Sequence, residues 1–178
     1  KMDKSTVTKI SSRLIEIGII DSLKEGSAGP QGGRRPVPLT VNMDFGCILG
    51  IEIQTDNYAA VVINLQGEII FEQSESIDFG EKGLIEKFLE ILDNLDSFLK
   101  TRRLLGIVIG IPGIINSVEG IIYRSNPLHI EEPFNFYEAI KDKVSVPVLV
   151  ENDANCCCWG ELIAFNSDRP DNMIFLLG

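Results

Sequence analysis

The stretch Val146-Pro147-Val148-Leu149-Val150-Glu151-Asn152-Asp153-Ala154-Asn155 changes character at its midpoint. β-Branched and aliphatic residues give way to a short polar run, so the spacing predicts a buried strand over 146–150 and a helix that starts at Asp153. A second apolar run, Leu104 to Ile111, predicts another buried strand, and it ends on Pro112-Gly113. Ligands of α/β sheets lie beyond the carboxyl ends of the strands, which points at Pro112-Gly113 and at Glu151-Asn152-Asp153.

Working outward, Cys47 to Ile53, Tyr58 to Leu65 and Glu68 to Ile77 read as three strands joined by tight turns, an antiparallel meander. A helix follows with Leu84, Ile85, Phe88, Leu89, Ile91, Leu92, Leu95 and Leu99 apolar. A hairpin is expected around Ser117 to Gly120, then a helix near Phe134 to Lys143, and a last strand at Met173 to Leu177. The order β-β-β-α-β-α-β is that of one lobe of an actin-like, ribonuclease-H-like α/β domain, expected over residues 46–178.

Residues 1–45 form a different unit. They hold 7 Lys+Arg against 5 Asp+Glu, whereas 46–178 hold 9 against 21, so a weakly basic head precedes a strongly acidic body. The whole-chain charge of -10 argues against a nucleic-acid binder; the segmented charge restores that reading for the head. Val7, Ile10, Leu14 and Ile17 recur at helical spacing from Lys4 to Ile17, with Asp3 or Ser5 placed to cap the start and Gly18 placed to end the helix. Ile19 to Leu23 and Val37 to Val41 flank a glycine-rich loop that closes on Arg34-Arg35-Pro36. Helix, strand, glycine-rich tip, strand is the latter part of a winged helix-turn-helix, expected to be incomplete at its start. Lys4, Ser5, Thr6, Thr8, Lys9 and Arg13 are the candidate contacts to a double-stranded DNA operator in the major groove. Arg34 and Arg35 suit the minor groove or its flanking phosphates. Any amphipathic helix with a solvated face would give the same helical pattern.

The longest apolar stretch, Leu104 to Ile115, is interrupted by Gly106, Gly110, Pro112 and Gly113 and is too short to cross a bilayer. With no secretory h-region, no membrane partner and no disulfide framework, a cytoplasmic protein with reduced thiols is the expectation. The contiguous Cys156, Cys157 and Cys158 point about 100° apart on a helix and cannot converge on one metal, so buried packing is expected.

Gly110-Ile111-Pro112-Gly113, followed by Val146 to Asn155 and Gly160-Glu161, resembles the ROK family (repressor, open reading frame, kinase). Ser5-Thr6-Val7-Thr8 and the Gly32-to-Pro36 wing look like its xylose-repressor and N-acetylglucosamine-repressor branch. Kinases of that family carry a glycine-rich phosphate loop after the first strand; here that place reads Glu52-Ile53-Gln54-Thr55-Asp56. Both glycines are replaced, and two carboxylates stand where a nucleotide needs positive charge. The resemblance therefore implies a sugar-responsive regulator that does not bind ATP, with an ATP-dependent sugar kinase as the competing reading and a constitutive DNA-binding scaffold as a third. No catalytic residue is assigned. The resemblance makes Asp153 and Asn152 sugar contacts, with Gly113 and Asn126 beside them; in position alone, Asp153 could equally cap the helix that follows. His129, the lone histidine, reads as exposed or structural. No cofactor or metal is expected in this chain; the family's structural zinc motif would fall after Gly178. A homodimer or homotetramer is the expected assembly, since paired heads match paired half-sites.

Overall fold

The computed structural model describes residues 3–23, 37–78, 83–164 and 170–176. The helix α1 spans Lys4–Glu16, and β1 (Ile20–Ser22) pairs antiparallel with β2 (Leu39–Val41). The glycine-rich loop with Arg34 and Arg35 lies outside the described residues. Of the two capping candidates the structure selects Asp3, whose carboxylate accepts the N–H groups of Ser5 and Thr6. These bonds, led by those from Ser5, hold the Asp3 carboxyl below its ordinary range. Gly18 takes φ 82°, the left-handed conformation that closes a helix without a Cβ penalty. None of the α1 side chains is buried, and Val7 keeps 51% of its surface exposed.

The body is built on β3 (Cys47–Ile53), β4 (Asn57–Asn64), β5 (Ile69–Ser76), β6 (Leu104–Ile111) and β10 (Val148–Asn152). They lie in the order β10-β6-β3-β4-β5. The meander β3-β4-β5 is antiparallel, while β6 runs parallel to both β3 and β10. Alternation along β3 sends Cys47, Leu49, Ile51 and Ile53 to one face, where Ile107, Ile109, Ile111 and Val150 join them in the core. The helix α2 (Leu84–Leu99) covers that face through Leu84, Phe88, Ile91 and Leu95. Phe88 meets Phe136 edge-to-face at 5.5 Å, and so ties α2 to the short helix α3 (Phe136–Ile140).

A three-stranded sheet of β7 (Ile114–Asn116), β8 (Ile121–Arg124) and β9 (Phe134–Asn135) grows from the end of β6. The expected hairpin at 117–120 is its first turn; β9 had no period-2 signal because it is two residues long. The helix α4 (Asp153–Ala164) opens directly from β10 and passes the other face of the sheet. Two expectations are corrected. Residues 173–176 form no strand, and Ile174 and Leu176 are each 86% exposed, because no strand edge hydrogen-bonds to them among the described residues. The three α4 cysteines are partly exposed rather than buried: α4 buries only Asp153 and has no continuous apolar stripe to seat on the sheet.

Candidate functional site

Three parallel strands end at one edge of the body sheet, and their register explains what gathers there. Glu52 of β3, Gly110 of β6 and Glu151 of β10 stand abreast. Residues abreast share a face, so the two carboxylates flank a position with no side chain. A Cβ on Gly110 would lie 3.4 Å from Cys156 Sγ and 3.6 Å from Asp153 Cα. The glycine is what lets the first turn of α4 settle onto the strand ends.

Glu151 fixes this junction. Its Oε2 accepts the Ser117 hydroxyl at 2.6 Å, while Oε1 accepts the Asn152 N–H at 2.7 Å and the Asn155 amide at 3.0 Å. Burial pushes its pKa up, but the bonds from Ser117, Asn155 and Asn152 outweigh burial and leave it below the ordinary carboxylate value. Asn152 donates from Nδ2 to the Gly113 carbonyl at 3.0 Å and accepts the Asn155 N–H at 3.1 Å. Asn152 therefore caps α4, a role the sequence had offered to Asp153. Both of its polar atoms retain capacity for one further bond each.

Asp153 is buried, with Oδ1 accepting the Ala154 N–H at 2.9 Å. Its Oδ2 meets Gln54 Nε2 in a long contact of 3.4 Å, and the same Gln54 nitrogen donates to Glu52 Oε1 at 2.8 Å. The amide thus separates two carboxylates that would otherwise repel. Next to Gln54, Thr55 Oγ1 donates to the Pro127 carbonyl at 3.3 Å and joins the β3–β4 turn to the 126–129 loop. That loop is held by Ser125, which exchanges backbone bonds with Ile130, and His129 adopts φ 53° in it. Gly113 (φ 153°) completes the arc: a Cβ there would sit 2.4 Å from the Arg124 carbonyl oxygen.

Of the four candidate sugar contacts, Asn152 and Gly113 touch one another and Asp153 is adjacent in chain. Asn126 is exposed, and its side-chain oxygen accepts Arg124 Nε at 2.9 Å. A hollow of about 900 Å³ lies between the Thr55-Asp56 turn, Glu86 and the Pro127–Ile130 loop, and does not include Asp153. Asp153 instead lines a hollow of about 280 Å³ with Glu52, Gly110, Cys156 and Cys157. Burial first, then Glu151 and Cys157, push the Cys156 thiol up to about 11. No group of three or more potential metal ligands occurs among the described residues. The sequence points to Glu151 as part of a strand end and to Gln54 as part of the glycine-free turn, but it does not give their bonds; Ser117, in the expected hairpin, carries no such signal.

In the head, Lys4, Ser5, Thr8 and Lys9 are exposed. Thr6 and Thr8 spend their hydroxyl protons on Asp3 and the Lys4 carbonyl, leaving only acceptor lone pairs for a ligand. Arg13 pairs with Glu16 at 2.7 Å. No helix among the described residues is long and apolar enough to cross a membrane.

The xylose repressor of Caldicellulosiruptor bescii is 33% identical over 98% of this chain and 44% of its own length. This chain therefore spans less than half of that curated relative. A solved ROK family transcriptional regulator, a homologue of the Escherichia coli MLC protein, superposes with a TM-score of 0.69 at 22% identity, covering 91% of this chain and 41% of that one. A ROK family glucokinase from Streptomyces griseus, in complex with glucose and AMPPNP, gives a TM-score of 0.56 at 21% identity over 65% of this chain and 36% of that chain. The α/β body agrees in fold with these solved structures, and since residues 48–177 match the ROK family model, the chain belongs to the ROK family.

Proposed function

We propose that this chain is the DNA-binding and sugar-sensing part of a transcriptional repressor of carbohydrate metabolism genes. The observation that carries the reading is the extent of the likenesses. Similarity to a xylose repressor runs over 98% of the chain, head included, while the glucokinase likeness spans 65%. In this reading residues 1–45 are a winged helix-turn-helix that docks on an operator, with Lys4, Ser5, Thr8 and Lys9 toward the groove and Arg34 and Arg35 on the wing.

In the body, Asp153 accepts sugar hydroxyls. It acts as a recognition group and not as a base in phosphoryl transfer, because the β3–β4 turn offers Gln54, Thr55 and Asp56 in place of a glycine loop. Asn152 assists with the donor and acceptor capacity left over from its bonds to Gly113 and Asn155. Asn126 has a weaker case, since Arg124 already holds its oxygen. The sugar acts by differential affinity for two arrangements of the heads in a dimer, only one of which matches half-site spacing.

The test is operator binding by the intact protein with and without pentoses and hexoses, xylose first. Wild type responds to one of them, and D153N binds operator normally but needs at least tenfold more sugar for the same response. An unchanged response in D153N removes Asp153 from the site. Sugar-dependent ADP formation would overturn the regulator reading in favour of a kinase.

A further inference from the structure

We propose that the Lys100–Arg103 turn of the acidic body is an additional contact for the DNA phosphate backbone, at the root of the head. The inference rests on the DNA-binding reading above. The body carries 21 acidic residues and 9 basic ones, yet three of the nine fall within four consecutive positions, Lys100, Arg102 and Arg103. This turn connects α2 to β6, at the end of the sheet opposite Asn152 and Asp153. With β6 eight residues long, the two ends are separated by roughly 25 Å.

Both arginines are exposed, and both are held without a carboxylate among the described residues. The Arg102 guanidinium lies 3.7 Å above the Phe98 ring, and its Nη1 donates to the Phe98 carbonyl and to Thr101 Oγ1. The Arg103 guanidinium lies 4.3 Å from the Phe45 ring centroid. Stacking fixes the plane of each guanidinium and leaves most of its N–H donors unused, which is the arrangement that suits forked recognition of a phosphate. Lys100 is paired with Asp96 and contributes less.

The turn is fastened to the segment that leads out of the head. The Cys47 N–H donates to the Arg103 carbonyl at 2.9 Å, and a Cβ on Gly46 would lie 2.8 Å from that same oxygen. Nearby, Gln66 Nε2 donates to the Val41 carbonyl at 2.8 Å, tying the last strand of the head to the β4–β5 turn. A hollow of about 460 Å³ between these parts is lined by Met43, Asp44, Glu68, Arg102 and Arg103. The hollow also holds two carboxylates, Asp44 and Glu68; Glu68 accepts the Asn64 amide at 2.8 Å, and neither forms an ion pair with Arg102 or Arg103 among the described residues. Phe45 lies only four residues beyond Val41, a span of at most about 14 Å, so DNA held by the head passes close to this turn. A body that repels the duplex elsewhere needs local cations where the two come nearest.

The experiment measures operator affinity of the intact protein against salt, from about 50 to 200 mM, for R102Q, R103Q and K141Q. The last removes one positive charge from an exposed Lys141–Glu138 pair on α3 and its C-terminal edge. Each arginine variant is expected to lower the salt slope by about 0.9, and to weaken binding roughly eightfold near 0.1 M salt, for each protomer bound to the operator, while K141Q stays within twofold of wild type. The double lysine variant R102K/R103K keeps the slope. If R102Q and R103Q retain the wild-type slope while R34Q/R35Q lowers it, the proposal fails and the DNA-binding reading stands. If wild type binds no operator at any salt, both fail. Stabilisation of the wild type, but not of R102Q/R103Q, by inorganic phosphate, with operator slopes unchanged, would replace the proposal with a small-anion site.

Discussion

Replacing Glu151 with Gln tests whether one strand-end carboxylate holds the junction together. The side chain keeps its size and loses its charge. Three donors now reach the carboxylate at 2.6, 2.7 and 3.0 Å, from Ser117, Asn152 and Asn155. A hydrogen bond to a charged acceptor is stronger than a neutral one by about 1 kcal/mol, and partial exposure of Glu151 lets water recover part of the difference. The expected loss is about 1–2 kcal/mol, or a fall in Tm of roughly 2–8 °C for a chain of this size.

The pH dependence gives a sharper readout than the magnitude. Because the folded-state pKa of Glu151 lies below its ordinary value of 4.5, its contribution is complete above that value and disappears as pH falls through the lowered native pKa. Asp3 has the same sign, but it is common to both proteins and cancels in the comparison. Melts of wild type and E151Q monitored by circular dichroism should differ at pH 7 and converge toward pH 3. Equal melting at pH 7, or a gap of the same size at both ends, would refute the assignment of Glu151 as the centre of the junction.

Gly113→Ala should destabilise the body by more than about 2 kcal/mol, read as a lower urea midpoint, since the new Cβ meets the Arg124 oxygen at 2.4 Å and φ is 153°. A midpoint within error of wild type would show that the Pro112-Gly113 turn relaxes freely. Cys156, with its thiol pushed up to about 11, should be alkylated at pH 8 roughly a hundredfold more slowly in the folded protein than in urea, as followed by mass spectrometry of the labelled peptide. Equal rates would mean that the first turns of α4 leave the sheet. Asn42→Ala removes the bond from Nδ2 to the Gly18 carbonyl at 3.0 Å and should loosen the head, raising its susceptibility to limited proteolysis while leaving the melt of the body unchanged. Protection as in wild type would show that the bond does not fasten the head.

Much of the fold was legible because burial leaves a period. The short apolar runs of β3 and β6 predict the boundaries Cys47–Ile53 and Leu104–Ile111, and the stripe of α2 predicts its buried face. The apolar run at 173–176 shows the limit of such reading, since a strand exists only where an edge accepts its hydrogen bonds. The cysteines of α4 fail for a related reason: composition suggested packing, but only Cys156 faces Gly110 closely.

The sequence by itself determined the charge division between head and body, the strand-helix order from β3 to β6, the glycine-free β3–β4 turn and the family-like run ending in Asn152-Asp153. These are local properties, carried by neighbours in the chain. Only the tertiary structure decided that Asn152 rather than Asp153 caps α4, that Gln54 stands between Glu52 and Asp153, and that Glu151 secures Ser117. The partners in the last two cases are 99 and 34 residues apart, and a hydrogen bond between single polar side chains imposes no repeat on the residues around it. Strand register, set by the burial of Ile51, Ile109 and Val150, is what brings Glu52, Gly110 and Glu151 abreast.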